Sequence, residues 1–297
     1  MAKAPPYDDI DALLHAAERE AALIYATTAG RARRSSHIRG AHGRRRSGDG
    51  DSFWQFRNYM AGDSAHQIDW RRSARSAGLY VRQQEWETAQ NMYFWVDQSP
   101  SMAFKSNPAW PTKLERARLL ALSLASLFSK AGERVGHLSP SAEPPRAGRF
   151  GLRVLAQRLL AKEHATDFSA VKFAHGSHVI LLSDFLDDDT ERDRLFAPII
   201  AQGCQAHLIQ INDPCEMDFP FKGRVKFEGL EGEAAEIIER SEDIRATYIN
   251  RFKAYSAAIG DFSLSHGWGI TTHRTDHAPG HCLLSATLHI SQFEGGH

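Results

Sequence analysis

Cysteine is scarce. The 297-residue chain has three, Cys204, Cys215 and Cys282, widely spaced and with no C-x-x-C pair. An odd count without paired spacing argues against a disulfide framework and points to a reducing compartment. Long hydrophobic runs are missing as well. The longest mostly apolar stretch, Leu119 to Phe128, is interrupted by Ser123 and Ser126 and is too short to span a bilayer. The N-terminus places Asp8 and Asp9 where a signal peptide would keep its apolar core. A soluble cytoplasmic protein is expected. Charge of one sign is also lacking: 36 Lys and Arg balance 36 Asp and Glu. Such a chain is not a bulk polyanion binder, although local patches remain open to it. Two catalytic signatures are absent. Without G-x-x-x-x-G-K-[ST] there is no P-loop for ATP hydrolysis, and without G-x-S-x-G there is no nucleophile elbow.

What is present suits a folded α/β protein. Hydrophobic residues make up 42% and charged residues 24%, enough for a sizeable core in one large domain or two modest ones. Asp8 to Thr28 reads as a helix that stops at Gly30, with Leu13, Leu14, Ala17, Ala21, Ile24 and Tyr25 at helical spacing. Residues 31–46 hold seven arginines and no acid, punctuated by glycines, and read as an exposed loop or arm. A solvated segment is the default for such a run, and capture of an anionic partner is the alternative. Little aromatic interleaving and no helix to enter a groove disfavour nucleic acid. Ala61-Gly62-Asp63 marks a turn, and a short strand is expected at Leu79 and Val81.

From residue 91 strands and helices alternate. Strands are expected at Met92–Val96, Val135–Leu138, Val179–Leu182, Ala206–Ile211 and Ile270–His273, with local pairing at Val225–Phe227. Helices are expected at Leu114–Ala131, Leu152–Lys162, Thr190–Gln202, over the long region Ala234–His266 and around Leu283–Ile290. The pattern predicts a doubly wound, mostly parallel sheet covered on both faces. The expected division is 1–90, an N-terminal helix, basic arm and small irregular or β extension, and 91–297, the α/β domain.

Asp97-Gln98-Ser99-Pro100-Ser101 sits where the first strand of that domain ends, the edge at which such sheets bind ligands. One carboxylate and two hydroxyls at i, i+2 and i+4 can project toward one point if the loop is extended. All are hard oxygen donors, suited to Mg²⁺, Mn²⁺ or Ca²⁺ and not to Zn²⁺. Ser183-Asp184 ends a second strand, and Thr166-Asp167 follows a helix between the two. With so few carboxylates, a bound divalent ion keeps residual charge and an open position for an outside carboxylate. The bland alternative is a loop that only turns and caps the next helix.

The D-x-S-x-S loop, Thr166 and Asp184 resemble the metal-ion-dependent adhesion site of von Willebrand factor type A domains. The resemblance implies metal contacts from Asp97, Ser99 and Ser101, with Thr166 and Asp184 completing the shell directly or through water. The residues before Thr166 lack the glycines usual there. Arg57-x-Tyr59-x-x-Gly62-Asp63 and Ile68-Asp69-Trp70-x-x-Ser73-Ala74-Arg75 resemble the signature of the bacterial domain-of-unknown-function 58 family, which precedes a type A-like domain. Asp213-Pro214-x-Glu216 and Pro220 fit it too, while His66 stands where that family usually has arginine. The resemblance spans roughly residues 30–290. It implies a MoxR-type AAA+ ATPase partner and an adaptor role in maturing or remodelling a protein client; many members of the family carry N-terminal membrane helices, and none is expected in this chain.

Arg57, Asp63, Asp69, Trp70 and Arg75 are candidate partner contacts. The competing, preferred reading is structural, with carboxylates anchoring arginines at turns and the tryptophan in the core. His273, His277 and His281 recur at four-residue intervals beside Asp276 and Cys282. Pro279 and Gly280 interrupt a helix there, so loop histidines are expected instead of a zinc site. A metal-dependent phosphohydrolase using Asp97 is the enzymatic alternative. An aspartyl-phosphate enzyme wants a second acid at position 99, which here is serine.

Overall fold

Amphipathic and apolar segments alternate along the chain, and the elements follow them. In the computed structural model the described residues are 9–32, 44–48, 52–60, 64, 68–75, 78–141, 143–161, 165–174, 176–186, 189–229 and 235–292. They run α1 (Ile10–Ala32), β1 (Arg44–Gly48), β2 (Ser52–Asn58), α2 (Trp70–Ser73), β3 (Tyr80–Thr88) and β4 (Asn91–Val96). A 3-10 turn (Pro100–Ala103) leads to α3 (Lys113–Lys130), β5 (Arg134–His137), β6 (Arg146–Ala147), α4 (Gly148–Leu160) and β7 (His178–Ser183). Then follow α5 (Asp189–Ala201), β8 (Gln205–Asn212), α6 (Pro214–Asp218), β9 (Val225–Phe227), β10 (Glu236–Ile238), α7 (Ser241–Ser265), β11 (Gly269–Arg274) and α8 (Pro279–Gln292).

Six strands form the central sheet in the order β11-β8-β7-β4-β5-β6. All neighbours pair in parallel except β6, which closes the edge antiparallel to β5. The expected doubly wound α/β architecture is therefore the observed one. Both faces are covered, as continuous apolar strands require. Met92, Phe94, Val96, Ile180, Leu182, Ile209 and Ile211 share one core with α1, α3, α4 and α8. Tyr93, Trp95, Val179, Leu181 and Leu208 share the other with α5 and α7. Strand order reverses about β4: the chain steps from β4 to β5 on one side and later to β7 on the other. The ends of β4 and β7 thus flank the switch point where such sheets open a crevice.

α3 is apolar around its whole circumference because it lies between the sheet and α1. Leu119, Leu120, Leu122, Leu124 and Phe128 are all buried, and Leu13, Leu14, Ala17 and Ile24 of α1 pack in the same core. At Gly151 a Cβ would stand 2.1 Å from the Arg146 carbonyl oxygen, so α4 approaches β6 this closely only with glycine there. All three cysteines are free and buried.

Several expectations need correction. α1 runs through Gly30 to Ala32. Of the basic segment, residues 33–43 lie outside the described residues, and Arg44–Gly48 is not a loop but a strand paired antiparallel with β3. Together β1, β3 and β2 make a separate three-stranded sheet. The helix expected over Ala234–His266 begins only at Ser241, because Glu236–Ile238 pairs with β9. Pro279 and Gly280 open α8 instead of breaking a helix, as the first turn tolerates a residue without an N–H.

Candidate functional site

β4 delivers Asp97 to the sheet edge and buries it, at 1% exposure. Its backbone N–H still donates to the Leu182 carbonyl at 2.9 Å, so the strand pairing fixes its position. Its two carboxylate oxygens are both engaged. Oδ1 accepts from the Ser99 N–H at 2.7 Å, and Oδ2 accepts from the Ser183 hydroxyl at 2.6 Å. That Asx-type contact holds the loop extended through Ser99, after which Pro100 starts the 3-10 turn. Ser99 Oγ and Ser101 Oγ consequently lie 3.0 Å apart, and Ser101 Oγ donates to Asp184 Oδ2 at 2.8 Å. Four of the five residues singled out as metal ligands are thus joined in one hydrogen-bonded string.

Asp184 is turned into the crevice by an unusual backbone. Phe185 follows it with φ at 54°, a left-handed conformation that costs a side-chain-bearing residue about 1–3 kcal/mol. The Ser183 hydroxyl accepts from the Phe185 N–H at 2.9 Å, the Tyr255 hydroxyl donates to the Phe185 carbonyl, and Asp184 Oδ1 accepts from the Leu186 N–H at 3.1 Å. Strain at this turn is therefore held in place from both sides.

Thr166 is placed differently. It is exposed, and its neighbour Ala165 is tied to β4 by the Trp95 indole N–H at 2.8 Å. Among the described residues Thr166 makes no hydrogen bond to Asp97, Ser99, Ser101 or Asp184. Asp167 is spent on the Ser169 N–H, which holds its carboxyl below the usual range.

Three further polar residues complete the crevice. Lys113, the first residue of α3, is 1% exposed, and its ammonium donates to Asp184 Oδ2 at 2.7 Å and to Glu216 Oε1 at 2.5 Å. Burial works against its charge, yet Asp184 and Glu216 together raise its pKa above the usual lysine value. Thr112 and Glu115 form a capping box around it, fixing where the helix begins. Glu216 spends its other oxygen on the Asp213 N–H at 2.7 Å, in the capping box of α6. Its carboxyl is pushed up, chiefly by burial, with Lys113 opposing. Asp213, at the end of β8, accepts from the Ser106 N–H at 3.0 Å and the Cys215 N–H at 2.9 Å, so the long loop before α3 is pinned to the same edge. Asp213 and Glu216 were visible as motif residues, but their place beside the crevice was not. Lys113 was missed altogether. The available signal was a lysine inside Thr-x-x-Glu, at the helix end where a cation is disfavoured.

The donor set fits a hard divalent ion. Two metal–oxygen bonds of about 2.0–2.1 Å at a right angle span about 3 Å, the spacing already present between Ser99, Ser101 and Asp184 oxygens. Among the described residues no group of three or more His, Cys, Asp and Glu side chains is gathered for a metal, so any such site here must draw on hydroxyls. The histidine series does not converge. His273 is buried on β11, His277 is exposed in the following turn, and His281 lies in α8.

Of the partner candidates, Arg57 pairs with Val81 of β3, and the Asp69 N–H donates to the Tyr80 carbonyl of the same strand at 2.8 Å. Asp69 caps α2 by accepting from the Arg72 N–H at 2.9 Å. Trp70 is 62% exposed, which overturns its expected place in the core. Arg75 is exposed, Arg57 lies in β2, and Asp63 is outside the described residues.

A doubly wound α/β body carrying a strand-end D-x-S-x-S loop and a second strand-end aspartate defines the class of protein. The chain belongs to the family described as protein of unknown function DUF58, whose model matches residues 55–258. No curated protein matches it. The crystal structure of the conserved hypothetical protein BatB from Bacteroides thetaiotaomicron gives a TM-score of 0.42 at 14% identity, covering 70% of this chain and 100% of that one. An aerotolerance-related membrane protein from Bacteroides fragilis, with multiple mutations to serines, gives 0.40 at 14% identity, covering 69% and 100%. Among the described residues of this chain no helix is long and apolar enough to cross a membrane.

Proposed function

We propose that the chain is a non-enzymatic protein-interaction module. Its crevice holds a divalent cation, Mg²⁺ (or Mn²⁺ or Ca²⁺), among the oxygens of Asp97, Ser99, Ser101 and Asp184, with Thr166 in the adjoining loop. When bound, the ion supplies an electrophilic position for an acidic side chain of a partner. The observation that carries this reading is the string of oxygens from Ser99 through Ser101 to Asp184, spaced as the edges of a small cation's shell. The chain's own residues do the positioning. Asp97 fixes the loop through the Ser99 N–H, Ser183 fixes Asp97, and the turn at Phe185 aims Asp184.

Resemblance to type A domains extends the reading to an adaptor that joins a MoxR-type AAA+ ATPase to a protein client in the cytoplasm. A phosphohydrolase using Asp97 is less well served. Such an enzyme needs an acid/base beside its nucleophile, and the position two residues on is Ser99, which cannot serve. Isothermal titration of Mg²⁺ tests the proposal. Wild type is expected to give saturable heat that Asp97→Ala loses while remaining folded by circular dichroism. Identical heats would reject the metal assignment.

A further inference from the structure

The oxygen of Asp184 that Ser101 reaches is also the one that Lys113 holds. A carboxylate oxygen offers about two acceptor positions, and on Oδ2 both are filled. The ammonium is as buried as any group in the core, and it stands at the N-terminal end of α3, where the helix dipole opposes a positive charge. An isolated charge in such a place is strongly disfavoured, so the site itself must retain it. Asp184 and Glu216 supply that retention from two separate elements, β7 and α6.

We propose that Lys113 is a resident cation that competes with the divalent ion for Asp184. It holds the loop, β7 and α6 together when no metal is bound, and it keeps metal binding by the chain alone weak. This rests on the metal reading above. Its physical basis is direct: a second cation entering the group of oxygens meets a fixed like charge one hydrogen bond away, in surroundings where screening is poor. Ser101 can release Asp184 by rotating its hydroxyl hydrogen. Lys113 has no such freedom, because moving its ammonium takes a cationic partner from both carboxylates.

Two variants of the full chain test it by Mg²⁺ titration calorimetry, with thermal unfolding in the presence and absence of Mg²⁺ as a second readout. Lys113→Met combined with Glu216→Gln removes one positive and one negative charge together, so the local balance is kept and only the ammonium on Asp184 is lost. It is expected to bind Mg²⁺ at least tenfold more tightly than wild type, with a larger Mg²⁺-induced rise in unfolding midpoint. Glu216→Gln alone leaves the ammonium and loosens its second anchor, committing it more fully to Asp184. Mg²⁺ affinity should fall several-fold. Unchanged or weaker binding by a folded double variant overturns the proposal, as does unchanged or tighter binding by Glu216→Gln should the double variant not fold. If wild type gives an Asp97-dependent heat and these shifts are absent, Lys113's role falls and the metal reading stands. If no chain gives a saturable heat, both fall.

Discussion

Asp213 illustrates how one buried carboxylate is kept charged and what it stabilises. Burial alone would raise its pKa, but the N–H groups of Ser106 and Cys215 donate to its two oxygens and outweigh that, holding it below the usual carboxylate range. A depressed folded pKa contributes stability that is present above the unfolded value of about 3.8 and is lost as pH falls through the folded one. Asp213→Asn should therefore cost about 1–3 kcal/mol at pH 7, the scale of hydrogen bonds to a charged group. Its stability should also change less with pH than wild type below pH 4, read from urea unfolding across that range. An acid limb as steep as wild type's would show that other carboxylates carry it. Legibility at this scale followed exposure to local rules. Asp97, Ser99, Ser101 and Asp184 could be read because strand ends and an i, i+2, i+4 spacing need no tertiary knowledge. Lys113 could not, since a lysine in a helix's first turn ordinarily faces water. Only the meeting of β7 with α6 makes a buried niche for it. Trp70 was misread for the opposite reason: nothing local distinguishes an aromatic that caps a turn outward from one that enters a core.

Among the elements, α3 and α1 form a dependent pair. α3 offers apolar residues on every side, which only a helix covered on every side can sustain, and α1 provides the outer cover. Leu13 is fully buried in that contact. Leu13→Ala should destabilise the protein by about 2–5 kcal/mol, the range for truncating a buried leucine, measured by the shift in urea midpoint. A loss under about 1 kcal/mol would mean that α1 lies on the body without bracing it. The periodicity of both helices was legible, and so was the burial of α3, but not which element covers it. Where elements were misread, tertiary pairing overrode local preference. Glu236–Ile238 carries alanine- and glutamate-rich neighbours that favour helix, yet it pairs with β9. Arg44–Gly48 has the composition of a solvated arm, yet β3 offers it a free edge.

For the molecule as a whole, topology and not sequence proximity brings Asp97, Asp184 and Asp213 to one edge. They end the neighbouring strands β4, β7 and β8, and parallel pairing aligns those ends. The strand alternation in the sequence foretold that edge. It did not foretell that the strands β8 and β11 each bury a histidine, His207 and His273. His207 is buried with its Nε2 beside Thr271 Oγ1 at 3.0 Å, and burial, helped by His289, pushes its pKa down to about 3. His273 is likewise pushed down to about 3 by burial, with Arg116 and His277 adding repulsion. Both stay neutral in the folded chain at pH values where the unfolded chain, with a reference near 6.5, takes up a proton. Folded stability is thus intact above pH 6.5 and falls as pH drops toward 3, by about 1.4 kcal/mol per pH unit for each histidine over the steep part. Carboxylates with depressed values add their loss only below about pH 4, and Glu216, pushed up by burial, works in the opposite direction, so the loss expected between pH 6.5 and 4 comes from these imidazoles. His207→Gln with His273→Gln should lower stability at pH 7 through imperfect packing, yet flatten the decline between pH 6.5 and 4.5. Urea unfolding at half-unit pH steps reads both effects. A double variant that loses stability over that window as steeply as wild type would place the acid response elsewhere in the molecule.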